Sequence, residues 1–231
     1  MIFFSACGIE EYVYLFPVPE ASVEQLPTIS GARVRLPENS SDYFNNFTIF
    51  YRIYISAMPS QSLPSNQYAG LNAELASDYS AFLPYTNTAN TSVNATVVGT
   101  LFRNRKYWEL EIEGGNIDAM LDSEQLITIN FNYIIGRPPT LDIGISSFVL
   151  RRSNGGGAFN PAPDRRFLNT SGLTARENAT TLINADVAPA SGSSSTLYAY
   201  VAMYIVATGI DNNFSPIYSI PTFLGVFRLP D

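Results

Sequence analysis

The clearest periodicity in the chain runs through residues 47–56, "FTIFYRIYIS", where Phe47, Ile49, Tyr51, Ile53 and Ile55 alternate with Thr48, Phe50, Arg52, Tyr54 and Ser56. A period of two predicts a strand. Comparable runs predict strands over Tyr12–Phe16, Gly31–Pro37, "LITINFNYII", "LDIGISSFVLRR", "STLYAYVAMYIVATG" and "PTFLGVFRLP". "VVGTLF" and "YWELEIE" read as a hairpin joined by the basic turn "RNRK". A period near four appears in one place, "LNAELASDYSAFL", where Leu71, Leu75, Tyr79 and Phe82 share a helical face and Pro84 is placed to end the helix. From Ser153 to about Ala188 the chain reads as a Gly-, Pro- and Asn-rich loop, with a weak helical turn near Ala175–Leu182. Many strands and one short helix predict an all-β, sandwich-like fold.

Composition fits that class. The chain is 46% hydrophobic and 14% charged, so it can bury a large core while Asn, Ser and Thr fill the outward positions. Net charge is −7, and one of the thirteen basic residues is a lysine, Lys106. Nucleic-acid binding, which needs a basic stripe, is disfavoured. The chain has no His, which removes Ser-His and Cys-His catalysis and the commonest imidazole metal ligand. No apolar run reaches the length of a membrane-spanning helix. No cofactor is expected. Seven N-x-[ST] sequons follow from the abundance of Asn, Ser and Thr.

Three constellations carry candidate chemistry. In "WELEIEGG", a strand places Glu109, Glu111 and Glu113 on one face. Such carboxylates can gather Ca²⁺ or supply the acid and nucleophile of a glycosidase. The reading the pattern favours is a solvated face paired with Arg103 and Arg105 across the hairpin. "GIDNNFSP" sets Asp211 and Asn213 at alternate positions, a partial calcium loop whose favoured reading is a tight turn. "RRSNGGGAFNPAPDRR" places Arg151, Arg152, Arg165 and Arg166 around glycines, where an anion could be held, though a loop with surface arginines is favoured.

The opening run Phe4, Ser5, Ala6, Cys7 resembles the lipobox of bacterial lipoproteins, in the relaxed form with Phe that spirochaete lipoproteins tolerate. The resemblance implies a signal-peptide remnant over residues 1–7, lipidation of Cys7, and a folded domain over 8–231 held at the cell envelope, in the periplasm or at the outer surface. Each buried methylene of such a lipid adds about 0.8 kcal/mol of membrane affinity. The segments "ARVRLPENSSDYFNNFTIFYRIYI" and "YVAMYIVATGIDNNFSPIYSIPTFLGVFRL" resemble the B–C and F–G strands of a fibronectin type III module. That implies an immunoglobulin/fibronectin III-like sandwich in which residues 57–195 are a β-rich insertion or additional strands. The stretch from "RRSNGG" to the end also looks like spirochaete lipoproteins, a family that implies no activity. The expected role is non-enzymatic binding or structural support, with an envelope protein or glycan as partner and the membrane reached through Cys7. Rival expectations are a glycan-active hydrolase using Glu109, Glu111 or Glu113, and an assembling, shell-like subunit.

Overall fold

The structure, a computed structural model, describes residues 15–27, 30–57, 68–86, 95–113, 115–131, 138–153, 167, 186–191 and 197–229. In chain order the elements are β1 (Val23–Gln25), β2 (Gly31–Arg35), β3 (Phe44–Ser56), α1 (Tyr68–Leu71), α2 (Ala73–Thr86), α3 (Ala95–Asn104), β4 (Trp108–Ile112) and α4 (Ile117–Met120). They continue with β5 (Leu126–Asn130), β6 (Thr140–Ile143), β7 (Ser146–Arg152), β8 (Val187–Ser191), β9 (Tyr198–Ile210), β10 (Pro216–Tyr218) and β11 (Thr222–Arg228).

β3 and β9 form the spine. They pair antiparallel along their whole lengths, from Phe44 opposite Gly209 to Ser56 opposite Tyr198. The strand period sends successive side chains to opposite faces. Phe47, Ile49, Tyr51, Ile53 and Ile55 therefore join Val201, Met203 and Ile205 in one core. Tyr54 joins Tyr200, Tyr204 and Val206 in a second core on the other face. Because both faces are covered, β9 reads as a continuous apolar run rather than an alternating one.

The rest of the sheet runs in the order β1-β2-β5-β6-β7-β4-β3-β9-β10, with β11 also on β9 and β8 on β3. All described pairings are antiparallel except β3 with β8. The sheet curls so that β1 and β2 come up against β11. Gln25 on β1 donates its side-chain amide to the Leu224 carbonyl on β11. Gly225 makes that closure possible. Its φ of 131° is open to glycine, and a Cβ there would lie 2.5 Å from the Gln25 amide nitrogen. The curled limb supplies Ala32, Val34, Ile127, Ile129, Leu141 and Leu150 to the first, largely aliphatic core. Helices α1–α3 cover the other face with Tyr68, Leu71, Leu75, Phe82, Val98 and Phe102.

Among the described residues, one buried arginine lies on each side of the sheet. Arg152, at the end of β7, donates Nε to Asp186 at 2.7 Å and a second bond from its terminal nitrogen. Tyr51 donates its hydroxyl to the same carboxylate at 2.8 Å. On the helical side, Arg52 bonds Asp78 and Glu74 of α2, each at 2.5 Å. Tyr54 adds a hydroxyl bond to Asp78 at 2.6 Å. Asn72 starts α2 by accepting from the Glu74 and Leu75 amides, and it donates to the Ile55 carbonyl, fastening the helix to β3.

The all-β expectation holds at the level of a mostly antiparallel sheet, and several details differ. The expected single helix is accompanied by α1, α3 and α4. "VVGTLF" is helix α3, since Val98 and Phe102, four apart, both bury against the sheet and override the β-branched preference. α2 runs two residues past Pro84, ending at Thr86. "LDIGISSFVLRR" is a hairpin, turning at Gly144 with φ 56°. The stretch read as loop up to Ala188 already enters β8 at Val187. Leu15 and Phe16 lie outside any strand, and the remainder of Tyr12–Phe16, together with the Ala175–Leu182 turn, falls outside the described residues. No described helix is long and apolar enough to cross a membrane.

Candidate functional site

The helical face opens at one side into a groove, built from the end of α3, from β4 and from β10. β4 pairs with β3 through Phe50 opposite Glu109 and Tyr51 opposite Trp108. α3 lies against β10 at Gly99, where a Cβ would come within 2.9 Å of the Tyr218 ring. A glycine is what allows that approach. Phe50 stacks on Phe102 at 4.1 Å between centroids and meets Tyr218 edge-on at 6.3 Å.

α3 ends in a Schellman motif. The Tyr107 amide donates to the Phe102 carbonyl at 2.9 Å and the Lys106 amide to the Arg103 carbonyl at 3.1 Å. The accompanying contact between the Phe102 and Tyr107 rings spans 6.0 Å. The residue that turns left-handed in this motif is usually glycine, yet here it is Lys106, with φ 56°. A left-handed residue with a Cβ costs about 1–2 kcal/mol. The chain's one lysine therefore stands at a strained position, and its side chain lines the groove.

Two contiguous cavities share Phe50, Glu109 and Tyr218. The larger, about 460 Å³, is walled by these three with Arg103, Lys106 and Trp108. Its volume falls among those of small-molecule sites, about 300–1,000 Å³. The smaller, about 220 Å³, is polar, with Asn45, Asn46, Thr48, Asn116 and Thr208 around it. Several of these groups are held in place. Asn116 caps α4 by accepting from the Asp118 and Ala119 amides, and it donates to the Asn45 carbonyl at 3.2 Å. Thr208 donates to the Asn46 carbonyl at 3.0 Å. Partial desolvation, with Glu111 nearby, raises the Glu109 pKa, although the side chain keeps one edge in solvent. Desolvation and the Glu109 charge raise that of Tyr218, so its phenol stays a neutral donor at physiological pH.

The other sequence candidates separate. Glu113 pairs with Arg151 at 3.4 Å, and Glu111 lies opposite Arg151 in the β4–β7 register. The expected hairpin does not form, because its first arm is α3; the charge pairing of this face is with Arg151 on β7 instead. Arg105 instead bonds Asp78 at 3.3 Å, and Arg103 faces the groove. Arg151 and Arg152 point to opposite faces of β7, and Arg152 is buried with Asp186 rather than displayed on a loop. Arg165 and Arg166 fall outside the described residues, as does Cys7.

The Asp211 carboxylate accepts from the Asn213 and Ser215 amides, each at 2.8 Å. That is a tight turn. Among the described residues no cluster of three or more Asp, Glu, Cys or His is arranged to hold a metal. Sequence reasoning marked Glu109 but missed Trp108, Lys106, Tyr218 and the asparagines as a group. For Lys106 the signal was the helical spacing of Val98 and Phe102, which turns "RNRK" from a hairpin loop into a helix end; Tyr218 and the asparagines, from distant segments, had none.

No protein-family model, curated protein or solved structure matches this chain.

Proposed function

We propose that the chain is a non-enzymatic binding domain of the cell envelope, tethered through a lipid on Cys7 and binding its ligand in the groove beside Trp108. The observation that carries the binding half is the pair of joined cavities, one aromatic and one polar, on a rigid sheet. The lipobox-like run ending at Cys7 carries the tether. A sandwich lineage fits this reading. β1-β2-β5 and β3-β9-β11 follow the A-B-E and C-F-G neighbour orders of immunoglobulin-type domains, with β6, β7 and β4 as the added link.

Trp108 is the one tryptophan, so its emission reports on this groove alone. Titration with a panel of neutral and charged oligosaccharides and short peptides is expected to change that emission saturably for some member, without turnover. A flat response across the panel overturns the binding reading. For the tether, the intact mass of protein from native membranes is expected to carry acyl chains that a Cys7→Ala variant lacks. An unacylated wild-type protein overturns it.

The hydrolase reading keeps one supporting observation, the raised pKa of Glu109 in the groove wall. Appearance of shortened products in the same titrations, abolished by Glu109→Gln, would favour it over simple binding.

A further inference from the structure

Resting on the binding reading above, we infer that the groove selects an acidic saccharide. One ring lies against Phe50 and Tyr218 with its carboxylate at Arg103 and Lys106, and the hydroxyls of a neighbouring ring reach the polar cavity.

The first support is the state of the cations. Among the described residues, Arg33, Arg52, Arg105, Arg151 and Arg152 are in ion pairs, Arg35 bonds a carbonyl, and Arg228 sits over Tyr198. The side chains of Arg103 and Lys106 make neither an ion pair nor a hydrogen bond among those residues, and both line the larger cavity. They share that cavity with the Glu109 carboxylate, which is within 4 Å of neither, and the Arg103 charge also acts on the Tyr218 phenol.

The second support is Lys106 itself. A strained backbone at a cavity wall points to function when a less strained residue would serve the fold better. Glycine would close the Schellman motif without the penalty and would remove the charge.

The third support is the rest of the lining. Phe50 and Tyr218 offer flat apolar surface of the kind that covers the C–H face of a sugar ring. The side chain of Asn45 and the amide nitrogen of Asn46 make no hydrogen bond among the described residues, and Glu109 adds an acceptor between the two cavities. Amides and a carboxylate suit hydroxyls, which both donate and accept.

The test uses the full chain, Trp108 emission and a matched pair of probes: trigalacturonate and its methyl ester, alike in shape but differing in charge. The acid is expected to bind about tenfold or more tightly than the ester, as two charge-assisted contacts imply, and the preference is expected to weaken with salt. Lys106→Gly and Arg103→Gln are each expected to shrink the preference while ester binding persists. For Lys106→Gly the melting temperature is expected to hold or rise, which separates lost recognition from lost folding.

Equal binding of acid and ester, an unchanged preference in Lys106→Gly, or equally tight binding of triglutamate overturns the inference and leaves the binding reading standing. No response to either sugar, with a saturable response to some other panel member, also overturns the inference alone. Silence toward every probe takes both down.

Discussion

The two faces of the β3–β9 spine are covered by different means. One face packs sheet against sheet largely with Ile, Leu and Val, and its buried Arg152 bonds Asp186, which Tyr51 also bonds. The other packs helices against sheet with Phe and Tyr, and its Arg52 is shared between Asp78 and Glu74. On the first face aliphatic side chains predominate. Rings meet at preferred angles, as Phe82, Phe102, Tyr107 and Tyr204 do, and fill a tapering space less completely near its edge. The groove lies on the aromatic side, where the rings run out at Phe50, Tyr218 and Trp108. The polar network differs too. A second carboxylate at Arg52 is expected to soften the loss of the first.

Breaking the networks tests that contrast. Asp186→Ala leaves Arg152, 2% exposed, without that carboxylate, and is expected to cost about 3–5 kcal/mol in urea unfolding. Asp78→Ala removes a carboxylate bonded by Arg52, Tyr54 and Arg105, yet Glu74 still faces Arg52, so about 2–3 kcal/mol is expected. Equal losses would show that redundancy gives no protection.

Lys106→Gly works in the other direction. Relief of the left-handed strain is expected to raise the melting temperature by about 2–4 °C per kcal/mol regained, read by calorimetry.

The smallest effect belongs to Glu109→Gln. Because the folded protein raises the pKa of this carboxyl, it holds the proton more tightly than the unfolded chain does. Wild-type stability therefore falls as pH rises from the ordinary glutamate range through the folded pKa. The Gln variant is expected to match the wild type below that range and to gain slightly above it, measured as the difference between two pH–stability curves.

The spine was legible in the sequence because its signals are local: "FTIFYRIYIS" shows a period of two, and "LYAYVAMYIVATG" is a long apolar run rich in Tyr and β-branched residues. The groove was not. "VVGTLF" carries β-branched residues that favour a strand locally, and only docking of Val98 and Phe102 on the sheet makes it helical. With that helix misread, Arg103 and Lys106 became a hairpin turn, and their meeting with Tyr218, more than a hundred residues away, had no sequence signal. Arg152 misled in the same way. Its partner Asp186 lies across the sheet, so an inward-facing ion pair looked like a surface arginine.

Amide chemical-shift mapping during a saccharide titration tests most directly the claim that the aromatic face is the binding face. The expected result is a set of shifts confined to Gly99–Glu109, Asn45–Phe50, Asn116, Thr208–Gly209 and Pro216–Tyr218, which wall the groove. Shifts centred instead on the β6–β7 hairpin around Ile145, or on the Asp211–Ser215 turn, would contradict it.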